Sequence, residues 1–141
     1  MTLLTLKEAL MKTLNGFKQV MPIILGVIML VSLSIIAIPK SFYTNIFTGN
    51  KVIDPLFGAI FGSIAAGNPI TSYIIGGELL KQGVSLIAVT AFILTWVSVG
   101  LIQLPAESLM LGKRFAITRN IVSFITALMV AVLTIYTLSL I

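Results

Sequence analysis

Four long runs without a charged side chain constrain this sequence more than any other feature. They cover residues 19–39, 55–77, 82–106 and 120–141. About 20 helical residues cross the hydrocarbon core of a bilayer, which is about 30 Å thick. Each run is long enough to span, and a helix satisfies all its backbone groups within one segment inside lipid. The sequence therefore predicts an all-α integral membrane protein.

Composition agrees with this class and excludes several kinds of chemistry. The chain of 141 residues is 58% hydrophobic and 9% charged, whereas a soluble domain carries about 25% charged residues. It contains no cysteine and no histidine, so disulfides, thiolate or imidazole metal sites and histidine bases are excluded. We expect no metal, no cofactor and no enzymatic activity. We expect a single multi-pass transmembrane domain over residues 1–141, in the cell membrane.

The segment 1–18 has a different pattern, with apolar side chains three or four positions apart. These side chains are Leu3, Leu6, Leu10, Leu14 and Phe17. Lysines and other polar residues occupy the rest of the helical surface, which predicts an amphipathic interfacial helix that continues into the first span. A signal peptide is the competing interpretation. It fits less well, because the polar region is long and no small-residue cleavage site follows.

The run 55–77 differs from an ordinary span because it contains Gly67-Asn68-Pro69 and five of the eleven glycines. Pro69 cannot donate a backbone hydrogen bond, and it disfavours helical geometry at Asn68. The sequence thus predicts a broken helix or a re-entrant hairpin, facing protein or a water-filled cavity. The alternative is a proline kink with close-packed glycines, since Gly58 and Gly62 form a small-xxx-small pair.

The basic residues test these alternatives through the positive-inside rule. With four full spans, four lysines (7, 12, 18 and 81) oppose five basic residues (40, 51, 113, 114 and 119), and no orientation is favoured. With a re-entrant second segment, six basic residues (7, 12, 18, 113, 114 and 119) oppose three lysines (40, 51 and 81). The second count favours a cytoplasmic N-terminus. We therefore predict three to four membrane segments, one of them broken or re-entrant.

Several polar residues are candidates for a transport pathway. Glu78 follows the second run, where an acid can relay protons or bind a cation, or can simply pair with Lys81. Glu107 precedes Arg114 and Arg119, and these residues form either a charged cluster at a pathway mouth or a set of topology determinants. Ser72 and Tyr73 lie within one turn of the predicted break. Thr90 lies in the third run, although threonines in membranes usually bond to their own helix.

The middle and C-terminal parts of the chain also resemble a known family. The ordered residues are Gly67-Asn68-Pro69, Ser72-Tyr73, Gly77-Glu78-Leu79-Leu80, Gly83-Val84-Ser85, Ala88-Val89-Thr90-Ala91-Phe92, Thr95-Trp96, Leu104-Pro105-Ala106-Glu107, Leu111-Gly112, Arg114-Phe115 and Arg119-Asn120. They are similar to the C-terminal half of the predicted permease family that includes the organoarsenical efflux permeases. The match covers roughly residues 56–125 and is strongest for half-length members.

The resemblance implies a membrane transporter in which two copies of the chain supply the two halves. It implies a substrate region at Asn68 and Pro69 and adds weight to Glu78, Glu107 and Arg114. The full candidate set is Gly67, Asn68, Pro69, Ser72, Tyr73, Glu78, Thr90, Glu107 and Arg114. This chain departs from the family in having no cysteine, and thiolates are the ligands that soft metalloids prefer. Arsenic transport through thiolate ligation is therefore excluded, and the substrate stays open.

Two functional hypotheses follow. The first is a half-size permease or channel that transports a small solute or ion as a homodimer in the lipid bilayer, with its site near Gly67–Pro69. The second is a non-transporting scaffold or subunit of a larger complex, which the glycine packing would suit. We expect no nucleic-acid partner, because the basic residues lie between apolar runs. The four-helix multidrug exporters share only the size, since their acid within the first span has no counterpart in residues 19–39.

Overall fold

The computed structural model describes residues 3–65 and 67–140, and within them every regular element is a helix. In chain order these are α1 (Leu3–Ala37), α2 (Lys40–Ile46), α3 (Ile53–Ile64), α4 (Pro69–Lys81), α5 (Leu86–Ser98), α6 (Leu104–Leu111) and α7 (Lys113–Leu138). The predicted helical class is thus confirmed for this part of the chain. Residues 1, 2, 66 and 141 of the predicted segments lie outside the described residues.

The chain divides into two units. The first is the part up to Ala37, whose helix α1 runs without a break through the predicted interfacial helix and first span, with Pro22 inside it. The second comprises the chain from Ile38 onward. Within the described residues, two helices are long and apolar enough to cross a membrane, namely Leu6–Leu33 of α1 and Lys113–Leu138, with 28 and 26 residues.

Helices α3 and α5 form the closest pair in the second unit, and glycines allow their approach. A methyl group on Gly58 would overlap the backbone carbonyl of Ala88, and one on Gly62 would overlap the Thr95 hydroxyl and the Phe92 carbonyl. Later residues of α3 thus meet later residues of α5, so the two helices run parallel. Their C-terminal ends lie together.

Helix α4 runs in the opposite direction along α5. A methyl group on Gly76 would approach the side chains of Ile93 and Val89 at 2.9 and 3.1 Å. Gly67, just before α4, lies against Trp96, whose ring would be 3.2 Å from a methyl group at that position. Because α3 and α4 run in opposite directions along α5, the chain reverses direction between them. Each helix packs against α5, and we call this arrangement the α3–α4 hairpin and the described residues Ala65, Gly67 and Asn68 its tip.

Helix α7 also runs antiparallel to α5 and completes the core. Ala59, Ala91 and Ala131 are fully buried in one cluster, which joins α3, α5 and α7. Partly buried Leu94, Phe124 and Leu128 pack against it. The alanines let three helices approach closely, while the opposite face of α7 exposes large apolar side chains, including Ile121, Ile125 and Met129.

The third uncharged run, 82–106, differs from the continuous span that its sequence predicts. Helix α5 ends at Ser98, Val99 is extended, and α6 begins only at Leu104. The 13 residues of α5 measure about 20 Å and are too short to cross about 30 Å of hydrocarbon. The chain is held at this point by distant groups, because Leu101 N–H donates to the Ser63 carbonyl and Gly100 N–H donates to the Asn120 side chain.

Side chains fix the beginning of α3 at the other end of the unit. Asn50 Oδ1 accepts from the backbone N–H groups of Val52 and Ile53, as an N-cap does. The Asp54 carboxylate is 1% exposed and accepts from the N–H groups of Thr48 and Gly49. These bonds satisfy the buried charge and anchor the turn before the helix.

Candidate functional site

A cavity of about 230 Å³ lies where the α3–α4 tip meets the end of α5. It is lined by Ala65, Gly67, Pro69, Trp96, Val97, Ser98, Val99, Gly100, Ile102, Gln103 and Arg119. We call it the polar cavity. It combines two of the unit's non-helical stretches, the residues just before Pro69 and residues 99–103, with one charged side chain, Arg119. Its volume exceeds the roughly 30 Å³ of one water and falls below the range of drug-sized sites, about 300–1,000 Å³.

The segment Gly67–Pro69 has the local chemistry of a helix start. Asn68 is extended and its Oδ1 accepts from Ile70 N–H at 3.0 Å, which makes it the N-cap of α4. Pro69 occupies the first turn, where its missing N–H removes no helical bond. Gly67 and Pro69 line the cavity. Asn68 therefore influences the shape of the cavity indirectly, because its N-cap fixes the beginning of α4 between Gly67 and Pro69.

Trp96 connects the hairpin tip to α5. Its indole Nε1 donates to the Gly67 carbonyl at 3.4 Å, across 29 residues of chain. The ring also packs edge-on against Phe92, with ring centroids 5.4 Å apart. A methyl group at position 67 would lie 3.2 Å from the Trp96 ring, so a larger residue there would require the ring to shift. Trp96 thus forms a wall of the polar cavity.

Arg119 is held in the cavity wall by Glu107. The guanidinium donates from Nε at 3.1 Å and from Nη2 at 2.6 Å to the two carboxylate oxygens. This bidentate pair joins α6 to α7, and both side chains are partly shielded, with exposed fractions of 20% for Glu107 and 35% for Arg119. Fork-like pairing of this kind fixes direction as well as distance.

Asn120 extends this pair to the end of α5. Its Oδ1 accepts from Gly100 N–H at 2.9 Å, and its Nδ2 donates to the Ala116 carbonyl at 2.9 Å and to Glu107 Oε2 at 3.4 Å. Asn120 is 5% exposed. A buried amide with these partners satisfies a backbone group that the end of α5 would otherwise leave unpaired. Glu107, Arg119, Asn120 and Gly100 form one connected group, which we call the α6–α7 network.

Ser72 and Tyr73, predicted to face the cavity, lie on different sides of α4, and neither lines the polar cavity. Ser72 is fully buried and its hydroxyl donates to the Pro69 carbonyl at 2.7 Å, within the first turn of the helix. Tyr73 is 61% exposed. Successive residues of a helix point about 100° apart, so only one of two neighbours can face inward.

The remaining predicted residues lie away from the cavity or bond locally. Glu78 lies near the C-terminal end of α4, about 14 Å along the helix from Pro69. Thr90 donates to the Leu86 carbonyl of its own helix at 2.8 Å. In the part that the structure describes, Arg114 is exposed and makes no ion pair, so Arg119 is the arginine that pairs with Glu107.

Glu78 binds two neighbours at its end of α4. Lys81 Nζ donates to it at 3.2 Å and Gln82 Nε2 at 3.0 Å. The Gln82 hydrogen bond is the main cause that lowers the pKa of Glu78 below its ordinary value of 4.5, with Lys81 contributing and partial burial opposing. Glu78 is therefore a charged carboxylate at neutral pH.

Sequence reasoning missed Asn120 and Asp54, and it left Trp96 and Gln103 out of the site. It named Arg119 only as a member of a charged cluster or as a topology determinant, and did not include it among the candidate site residues. Asn120 had a weak signal as the polar residue that opens the last uncharged run. Asp54 directly precedes the second run, and its sequence position gives no signal of a buried anchor. These roles depend on tertiary contacts, which spacing along the chain does not reveal.

The site offers hydrogen bonds and one paired cation to a solute. Among the described residues, no group of three or more acidic side chains could hold a metal ion. Because Arg119 is neutralised by Glu107, the walls have no large net charge. A comparison with protein-family models, with curated proteins and with solved structures finds no match to this chain.

Proposed function

We propose that the chain is a half-size permease of the cell membrane, which transports a small solute or ion as a homo-oligomer through the polar cavity. The two long apolar helices, α1 and α7, support a membrane location by their length and composition. The resemblance of residues 56–125 to half-length permeases supports the same assignment.

The arrangement of charges supports a re-entrant α3–α4 hairpin. Lys51 precedes α3 and Lys81 ends α4, so both lie at the open end of the hairpin. Lys113 and Arg114 begin α7 at the opposite end of the unit. This division agrees with the six-against-three count of basic residues, in which the side carrying the N-terminus and the start of α7 is cytoplasmic.

The observation that carries the proposal is the meeting of two non-helical stretches at one polar cavity. Inside a bilayer, non-helical backbone is tolerated only where it is surrounded by protein or lines a water-filled cavity. Transporters often build midplane sites from discontinuous helices in two related repeats. The tip before Pro69 and the residues 99–103 supply two such stretches in one chain.

The size of the unit supports the proposal of a second copy. The polar cavity is lined by residues at the start of α4, at the end of α5 and in α7, together with residues that follow α3 and α5, and it is not fully enclosed. A single set of these helices does not surround a pathway across a membrane. We therefore place the cavities of two copies together, with each copy providing one half of the transporter.

The scaffold hypothesis keeps one specific observation in its favour. Gly58 and Gly62 bring α3 and α5 into backbone contact, as small residues do in helix packing without any transport role. A scaffold, however, gives no reason for Arg119, Gln103 and Ser98 to line a cavity beside two helix ends.

Flux through proteoliposomes tests the proposal. We would reconstitute the cysteine-free protein and follow vesicle shrinkage and reswelling by light scattering, with glycerol, urea, potassium acetate and potassium phosphate as separate solutes. We expect a rate above that of empty vesicles for at least one solute. Ser98→Cys lies in the cavity wall, so an aqueous thiol reagent should inhibit that flux.

Val122→Cys is the matched control, because Val122 is 55% exposed on α7 and does not line the cavity. Its modification should leave flux unchanged. Flux equal to empty vesicles for all four solutes, together with an unreactive Ser98→Cys, would support the scaffold instead.

A further inference from the structure

A second recess lies between the first turn of α5 and the last turns of α7, at the opposite end of the unit from the polar cavity. Its volume is about 780 Å³, which is within the range of about 300–1,000 Å³ typical of small-ligand sites. Its walls are mostly apolar and include Leu86, Ile87, Val132 and Ile135. We call it the α5–α7 groove.

The groove contains a hydroxyl group without a partner. Ser85 Oγ is shielded from solvent and makes no hydrogen bond to any described residue. Ser85 precedes α5 and does not use its side chain to cap the helix. A shielded hydroxyl that is left unpaired is unfavourable, so a ligand that bonds to it would be favoured.

The same end of the groove is positively charged. Lys51 lines it, is exposed, and forms no ion pair within the described part of the chain. The first backbone N–H groups of a helix have no partner inside the helix, and this end of the helix dipole is positive. The start of α5 therefore adds to the attraction of Lys51 for an anion.

We infer that the α5–α7 groove binds an anionic phospholipid, with its phosphate at Lys51 and Ser85 and an acyl chain against Leu86, Ile87, Val132 and Ile135. The inference rests on the membrane location in the proposed function. Charge complementarity selects the headgroup, and the apolar walls select a ligand with a hydrocarbon chain over a free anion. Tyr136 lines the same groove and is 63% exposed, as tyrosines at a membrane interface are.

Thermal unfolding of the full chain in detergent tests this inference. The added ligands are phosphatidylglycerol, phosphatidylcholine with the same acyl chains, and inorganic phosphate. We expect phosphatidylglycerol to raise the Tm more than phosphatidylcholine does, and phosphate alone to have no effect. Lys51→Gln should weaken the apparent affinity for phosphatidylglycerol about tenfold or more, because it removes a charge-assisted bond. Ser85→Ala should weaken it to a smaller extent.

Two further variants complete the design. Lys113→Gln removes the same charge at the opposite end of α7 and should keep the wild-type response. Val132→Phe fills the groove and should reduce the response to both lipids. If the two lipids give equal shifts, if Lys51→Gln keeps the preference, or if phosphate alone reproduces it, the inference is wrong. It is also wrong if Val132→Phe separates associated copies while the wild type shows no lipid response, because the occupant is then a second chain.

The two proposals fail independently. Lipid binding is measured in detergent and requires no transport. A protein that prefers phosphatidylglycerol but shows no flux would contradict only the proposed permease. A protein that conducts a solute without preferring an anionic lipid would contradict only the inference that the α5–α7 groove binds an anionic phospholipid.

Discussion

At the scale of single residues, Asn68 is important because it fixes the start of α4 between two residues of the cavity wall. Its side chain accepts from Ile70 N–H, and aspartate caps helices about as well as asparagine, whereas alanine does not. Asn68→Ala should lower the free energy of unfolding by about 1 kcal/mol and reduce flux. Asn68→Asp should restore both, as measured by thermal unfolding and proteoliposome flux. Loss of flux in both variants with normal stability would instead indicate direct contact between the amide and the solute.

The Glu107–Arg119 pair gives a second prediction at this scale. Glu107→Gln removes the charge that holds the guanidinium in the cavity wall. Because Arg119 is about one third exposed, we expect a loss of only about 1 kcal/mol in unfolding free energy. Arg114→Gln changes an exposed residue nearby and should stay within about 0.5 kcal/mol of the wild type. Chemical denaturation measures the unfolding free energy of the two variants. Equal losses in both would contradict a stabilising Glu107–Arg119 pair.

The lowered pKa of Glu78 predicts how the stability of the fold depends on pH. The pKa of Glu78 is lower in the folded protein than its ordinary value of 4.5. The hydrogen bonds of the carboxylate therefore stabilise the fold fully above pH 4.5. This stabilisation is lost as the pH falls through the lowered pKa of the folded protein. Glu78→Gln should therefore make Tm less sensitive to pH below about 4.5 and leave the pH profile of flux between 6 and 8 unchanged. A shifted flux profile in that range would make Glu78 a proton carrier.

At the scale of helices, the contact between α3 and α5 depends on glycine at two positions. Gly62→Ala would place a methyl group against the Thr95 hydroxyl and the Phe92 carbonyl, which should cost about 1–3 kcal/mol or more because backbone cannot move aside cheaply. Gly77 is the control, since an added methyl group there meets nothing within 4 Å. Gly77→Ala should stabilise α4 by up to about 1 kcal/mol. Thermal unfolding measures both changes, and similar effects would contradict the packing described.

The two helix boundaries at the cavity differ in how far sequence can predict them. The start of α4 has local causes, because Asn68 caps it and Pro69 suits a first turn. The end of α5 at Ser98 has no proline and no capping side chain nearby. It is stabilised by Asn120 and by the Ser63 carbonyl, which belong to α7 and α3 and lie far along the chain from the groups they bind. For the same reason, the sequence could not distinguish Arg119 from Arg114 as the partner of Glu107.

At the scale of the whole molecule, the direction of each helix determines which loops of the proposed permease share a side of the membrane. The uncharged runs were sufficient to predict helices, but the antiparallel course of α3 and α4 depends on contacts of Gly62 and Gly76 with α5. We predict that Lys81→Cys reacts with an impermeant thiol reagent in intact cells, whereas Lys12→Cys and Lys113→Cys are protected. Permeabilised cells should label all three. Four full spans would reverse the result for Lys81 relative to Lys113.

If the chain is the proposed permease, the parallel packing of α3 and α5 also limits how it enters a membrane during synthesis. Trp96 donates a hydrogen bond to the Gly67 carbonyl at the tip, and Leu101 N–H donates to the Ser63 carbonyl. Both donors are synthesised only after α4 and most of α5. At about 5–20 residues per second, a ribosome needs a few seconds to make them. Until then, unpaired backbone at the tip would face lipid at high cost. The hairpin should therefore wait at the membrane surface, and its insertion should be completed only once α5 has emerged.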